Sequence, residues 1–190
     1  MAGEKARPHT TVYKRFFETY EGRSDLSSNG PESLMLKLLS SLKSMQLLTG
    51  RCLCEGVAYE IRGELGPIFN CHCSKCRRWH GAAFRTRATI NANQFTWLKG
   101  RELVAGYHSS EFVVKHFCKV CGSNLISTYE NDPYKIGVPL GGLDQSPNNK
   151  PEGHFWVGSK SPWYAITDGL PQYETWPGSH EKVRETRGDT

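Results

Sequence analysis

The stretch CHCSKCRRWHG, residues 71–81, packs Cys71, Cys73 and Cys76 into six positions of a chain with seven cysteines in all. The other four lie in two further short motifs, Cys52-x-Cys54 and Cys118-x-x-Cys121. A Cys-x-x-Cys turn sets two sulfurs on one side at a bite suited to tetrahedral zinc. In an extended Cys-x-Cys both sulfurs share a face, because strand side chains repeat every two residues. Seven ligands divide as four plus three. A structural zinc is closed by four protein ligands, whereas a catalytic one keeps three and leaves a position open. The expected partition is therefore Cys52, Cys54, Cys118 and Cys121 at a closed structural zinc, and Cys71, Cys73 and Cys76 at an open catalytic one. The alternative is that His72, His80 or His116 completes the second site. An extended Cys71–Cys73 turns the His72 side chain away from both sulfurs and weighs against that residue. A thioredoxin-type role for Cys118-x-x-Cys121 lacks the βαβ setting it needs.

Outside the cysteines the chain reads as an ordinary soluble protein, with 37% hydrophobic and 23% charged residues over 190 positions, which suits one domain plus an extension. No run of eighteen apolar residues occurs, so no membrane span is expected. The N-terminus lacks an apolar signal region and carries Glu4, Glu18, Glu21 and Asp25 among its basic residues. An odd cysteine count without a secretory signal argues against a disulfide framework and for a reducing, cytoplasmic setting. The formal charge is +5, and two zinc ions held by seven thiolates would lower it to about +2. Such weak basicity argues against nucleic acid as a partner.

Residues 1–47 read as an N-terminal extension. Within it an amphipathic helix is expected over 33–45, from the spacing of Met35, Leu38, Leu39, Leu42 and Met45. That helix is the candidate surface for oligomer formation. From residue 48 to 178 short runs such as VAYEIRG, AFRTRATI, EFVVKHF and NLISTY are rich in β-branched and aromatic residues. They predict one mainly-β domain, with helical periodicity hard to find after Ser44, followed by a polar tail over 179–190.

Four blocks, GRCLCEGVAYEI, CHCSKCRRWHGAAFRTRATI, HFCKVCGSNL and HFWVGSKSPWYAITDGLPQYE, together resemble the glutathione-dependent formaldehyde-activating enzyme (GFA, or centromere protein V) family. They occur in the family's order, and all seven cysteines are present. The resemblance implies a tent-like fold of stacked antiparallel sheets with two zinc ions per chain, partitioned four and three. It implies a carbon–sulfur lyase, whose type reaction reversibly forms S-hydroxymethylglutathione from formaldehyde and glutathione. Glu55 departs from the pattern: the family has glycine after the first Cys-x-Cys.

An open zinc held by three thiolates favours binding and delivering a substrate thiolate over polarising a carbonyl. The substrate is then a small molecule, with glutathione or a related thiol adduct as the candidate. Arg77, beside the cysteine turn, is the candidate for pairing a substrate carboxylate, and His72 is the candidate for proton transfer. Two rival readings stand beside this one. The first keeps the fold and acts as a lyase or isomerase on another small molecule of specialised metabolism. The second is a non-catalytic zinc module that binds protein or nucleic acid through the basic arm at Lys5, Arg7, Lys14 and Arg15. Gly81-Ala82-Ala83 is expected to permit close packing, and Trp156, Trp163 and Tyr164 to supply core and lid.

Overall fold

The computed structural model describes residues 46–176. The expected helix over 33–45, the basic arm and the polar tail over 179–190 lie outside the described residues. Strands follow the β-branched runs: β1 (Leu47–Arg51), β2 (Ala58–Arg62), β3 (Ile68–Cys71), β4 (Arg85–Asn91), β5 (Phe95–Lys99) and β6 (Val104–Ser110). After them come β7 (Val113–Cys118), β8 (Asn124–Tyr129), β9 (Lys135–Pro139), β10 (Gly153–Phe155) and β11 (Gln172–Tyr173). They form a three-stranded sheet ordered β1-β2-β5 and an eight-stranded sheet ordered β11-β10-β3-β4-β9-β8-β7-β6.

Alternation decides the small sheet's inner face. In β1 and β2 every second residue is buried, which turns Leu48, Tyr59 and Ile61 inward. The middle strands of the large sheet are buried almost throughout, as strands covered on both faces are. Leu48, Val57, Tyr59 and Ile61 share one apolar cluster with Ile68, Ile90, Leu125 and Val138, so both sheets feed one core. Each fully buried aliphatic side chain there contributes on the order of 2 kcal/mol. Gly50 faces Tyr59 across the β1–β2 pair, and a Cβ at Gly50 would stand 2.3 Å from the Tyr59 ring. Only glycine leaves room for the ring to lie across the strand.

Two sequence expectations are corrected. The large sheet is mixed rather than antiparallel, because β10 runs parallel to both β3 and β11. Crossovers of more than a dozen residues separate these strands in sequence, which a parallel pairing requires. A helix also occurs after Ser44: α1 (Ser74–His80) begins inside the cysteine stretch itself. At seven residues it is too short for a hydrophobic period to register. It is defined instead by its ends. The Cys73 sulfur accepts from the Cys76 backbone N–H at the N-cap, and Gly81 closes the helix at φ 58°. Nothing lies within 4 Å of a Cβ at Gly81, so its glycine supplies a left-handed turn, and the expected close packing is not the reason for it.

The turn that carries Cys52 and Cys54 ends on Glu55, also left-handed at φ 58°. This is the position where the sequence departs from the family's glycine. A non-glycine residue there costs about 1–2 kcal/mol, against about 0.5–1 kcal/mol of extra unfolded-chain entropy for glycine. The exposed Arg51–Glu55 ion pair at 3.2 Å offsets little. Glu55→Gly is expected to raise stability by about 0.5 kcal/mol, read as a higher urea midpoint at unchanged slope; a lower midpoint would show that the glutamate side chain holds the turn.

Candidate metal centre and active site

Strand ends and tight turns bring the cysteines into two groups. Cys52 and Cys54, from the β1–β2 turn, meet Cys118 and Cys121, from the β7–β8 turn, with all four sulfurs within 4.8 Å of one another. The Cys52–Cys54 and Cys54–Cys118 sulfur separations are 3.5 and 3.9 Å. A tetrahedron of sulfurs around zinc has edges of ~3.8 Å, from a bond of ~2.3 Å, so this donor set fits the ion. Cys71 closes β3, Cys73 caps α1 and Cys76 lies in its first turn; their sulfurs also fall within 4.8 Å of one another. Among the described residues no histidine or carboxylate joins either group. His116 is spent on Thr128 Oγ1 at 2.9 Å, and His80 Nδ1 lies 3.2 Å from Asn124 Nδ2. Three sulfurs with no fourth protein ligand fit an open zinc.

Electrostatics around the three-cysteine group are unusual for a protein interior. Arg85 and Lys115 are 5% and 3% exposed, yet neither makes an ion pair among the described residues. Arg85 stands opposite Cys71 in the β3–β4 register and donates to Ser127 Oγ at 3.0 Å and to the Gly137 carbonyl at 3.1 Å. Lys115 donates to the Lys75 carbonyl at 3.2 Å and lies over the Trp79 ring. Burial pushes both cations' pKa values down, and the neighbouring cysteine sulfurs push them back up. In turn, Cys76 is held far below the usual thiol range by hydrogen bonds from Cys71 and Cys73, with help from Arg85 and Lys115. Cys71 is pushed up by its hydrogen bonds to Cys73 and Cys76 and by burial. The cluster is built to carry negative charge, and its counter-charges are these two side chains.

His72 is not among the grouped ligand atoms and is wholly buried. Its Nε2 lies 2.8 Å from His154 Nδ1, and His154 Nε2 lies 3.0 Å from Asp168 Oδ1. Desolvation, then the nearby His154, Lys160 and Arg77, push the His72 pKa down to about 4. Arg77 is committed internally: Nε donates to the His72 carbonyl at 3.1 Å and Nη1 to Ser161 Oγ at 2.7 Å. It ties α1 to the segment after β10. Tyr164 packs near His72 and Phe84, but Trp163 is 73% exposed and belongs to neither core nor a closed lid.

A family model described as glutathione-dependent formaldehyde-activating enzyme matches residues 47–159. The chain belongs to that family. A relative described as an uncharacterized lyase of Schizosaccharomyces pombe is 34% identical over 93 residues, 48% of this chain and 66% of the relative. The chain thus spans just under two thirds of that relative's length. A crystal structure of a Rhodobacter sphaeroides protein overlays with a TM-score of 0.45 at 25% identity, covering 53% of this chain and 91% of that one. The match to the GFA family ends at Ser159, so Ser161, Tyr164 and Asp168 lie beyond it.

Arg85, Lys115, His154 and Asp168 were not singled out by the sequence reading. The first two carried a weak signal: each is a basic residue inside a β-branched run. His154 and Asp168 stand 82 and 96 residues from His72, and only the parallel pairing of β3 with β10 joins them.

Proposed function

We propose that this protein is a zinc-dependent carbon–sulfur lyase acting on glutathione or a related thiol adduct. Cys52, Cys54, Cys118 and Cys121 hold a structural zinc, and Cys71, Cys73 and Cys76 hold an open one. The family's tent-like stacking of sheets fits a core to which both sheets contribute. Zinc with three thiolates has a net charge of −1, supplies an open position and stabilises the anionic form of a thiol bound there. The observation that carries the reading is the buried Arg85 and Lys115 pair beside that cluster, with no carboxylate paired to either among the described residues. Two cations balance the site when a fourth thiolate brings its charge to −2, whereas a neutral ligand would leave a buried positive excess.

In the forward direction the sulfur lone pair of the thiol adds to the carbonyl carbon of formaldehyde. The carbonyl π pair moves to oxygen, and that oxygen takes up the proton that the thiol sulfur gives up. We assign hydrogen bonding to this oxygen to His72, and to Arg77 the positioning of the His72 backbone. Free thiols throughout are in keeping with a reducing, cytoplasmic setting, and self-association through residues 33–45 belongs to the same reading.

The test is zinc content per chain and the metal's ligand set by X-ray absorption, with and without glutathione. The expected result is two zinc ions, with the average sulfur count rising when glutathione is added. Two zinc ions whose ligands ignore glutathione would overturn the glutathione reading. One observation favours another small thiol: Arg77, the expected partner for a substrate carboxylate, is already bonded to His72 and Ser161. A rise in sulfur count with a small uncharged thiol but not with glutathione would select that second reading.

A further inference from the structure

His72, His154 and Asp168 form one continuous hydrogen-bonded line through the interior. Both imidazoles are fully buried, whereas the Asp168 side chain is 48% exposed and reaches water. The Asp168 carboxylate is itself fixed, because Oδ1 accepts from the Leu170 backbone N–H at 3.2 Å. Its two oxygens lie 3.0 and 3.1 Å from His154 Nε2. A carboxylate only accepts, so His154 Nε2 carries a hydrogen. In a neutral imidazole whose Nε2 holds the hydrogen, His154 Nδ1 is a bare acceptor. His72 Nε2 sits 2.8 Å from it and must donate. The His72 proton is therefore used up on Nε2, and Nδ1 is left as a lone pair. That atom is buried and has no hydrogen-bond partner. A buried acceptor without a partner destabilises the fold, yet three residues keep it in that state.

We infer that His154 and Asp168 are positioning residues that lock His72 in its Nε2–H tautomer, so that its Nδ1 lone pair accepts a hydrogen bond from the hydroxyl of a thiol adduct held at Cys71, Cys73 and Cys76. The ligand half of this inference rests on the function proposed above, and the tautomer half does not. The site thereby selects adducts that bear a donor next to the sulfur-bound carbon and gives a plain thioether nothing to bond. The rings of Phe84 and Tyr164, with centroids 5.2 and 6.0 Å from that of His72, cover the imidazole. Tyr164 lies on the segment that Arg77 ties down through Ser161.

The test is nitrogen-15 NMR of histidine-labelled, zinc-loaded protein at pH 8. The expected spectrum has His72 protonated on Nε2 and bare at Nδ1. Its Nδ1 signal should move when glutathione and formaldehyde are added together, and stay in place with S-methylglutathione, which has no hydroxyl. In Asp168→Ala the His72 signals should report a mixture of tautomers. Turnover should then fall about ten- to a hundred-fold, the usual cost of losing an orienting partner, with an unchanged KM for glutathione. A proton on His72 Nδ1 in the native protein overturns the inference without any variant. An unaltered tautomer and turnover in Asp168→Ala removes the positioning role. If the native tautomer is as stated and glutathione raises the sulfur count at zinc, but no thiol mixture moves Nδ1, the ligand half fails while the proposed function and the locked tautomer stand.

Discussion

Cys118→Ser is expected to yield no stably folded protein, whereas Cys73→Ser should fold, bind one zinc fewer and lose thiol capture. The two cysteines differ in what they hold together. Cys118 is 0% exposed and shares its metal group with residues 64 and 66 positions away, so it staples the β7–β8 turn to the β1–β2 turn. Those turns belong to different sheets, and a metal held by all four sulfurs would link them. Structural zinc contributes on the order of 10 kcal/mol to small domains, against a whole net stability of ~5–15 kcal/mol. Losing one of four ligands removes most of that margin. The Cys71–Cys76 group instead links positions only five apart, on β3 and α1, which hydrogen bonding already connects. Serine at position 73 also keeps the N-cap, because its hydroxyl accepts from the Cys76 N–H as the sulfur does, and N-caps are worth ~1 kcal/mol. Thermal melts and zinc per chain on the two variants decide the matter. Equal melting temperatures would show that the two groups do the same job and would end the four-plus-three division of labour.

What could be read from the sequence, and what could not, follows from the range of the interactions. The cysteine groups were legible because metal ligation imposes local spacing, and each group is assembled from motifs of three to six residues. The strands were legible because burial repeats every two residues, and VAYEIRG shows that repeat in Tyr59 and Ile61. Helix α1 was hidden because its seven residues owe their conformation to a sulfur N-cap and Gly81 rather than to an apolar stripe. The parallel β3–β10 pairing was hidden for a different reason. A three-residue strand such as GHF carries no mark of its partner's direction, and that pairing alone delivers His154 to His72. Arg77 illustrates the opposite hazard. Its place beside the cysteines suggested a substrate contact, but tertiary structure supplied Ser161, 84 residues away, to occupy it.

Arg85→Met is expected to cost about 3–5 kcal/mol and to strip zinc from the three-cysteine site, leaving one zinc per chain. The side chain is fully buried, and it gives its two amino groups to Ser127 Oγ and the Gly137 carbonyl. Methionine fills the aliphatic part of the site and lacks the guanidinium, so the cost has two parts. Two acceptors lose their donors, at about 1 kcal/mol each, and the sulfur cluster loses a buried counter-ion. Removing one side of a buried charge pair is costly because the other side stays in low dielectric without compensation. The protein can lower that second cost only by protonating a thiolate, and a protonated sulfur no longer binds zinc. Destabilisation and metal loss are thus two readings of one event and should appear together. Lys115→Met is the graded control. Lys115 gives up a single hydrogen bond to a carbonyl and lies over the Trp79 ring, so its loss should leave the protein folded with weaker zinc binding at the same site. Denaturant midpoints and zinc per chain, measured across a series of competing chelator concentrations, separate the cases. If Arg85→Met lost stability yet kept both zinc ions at native affinity, Arg85 would be a hydrogen-bonding strut in the β-sheet. The charge balance that assigns a thiolate to the open position would then fall with it.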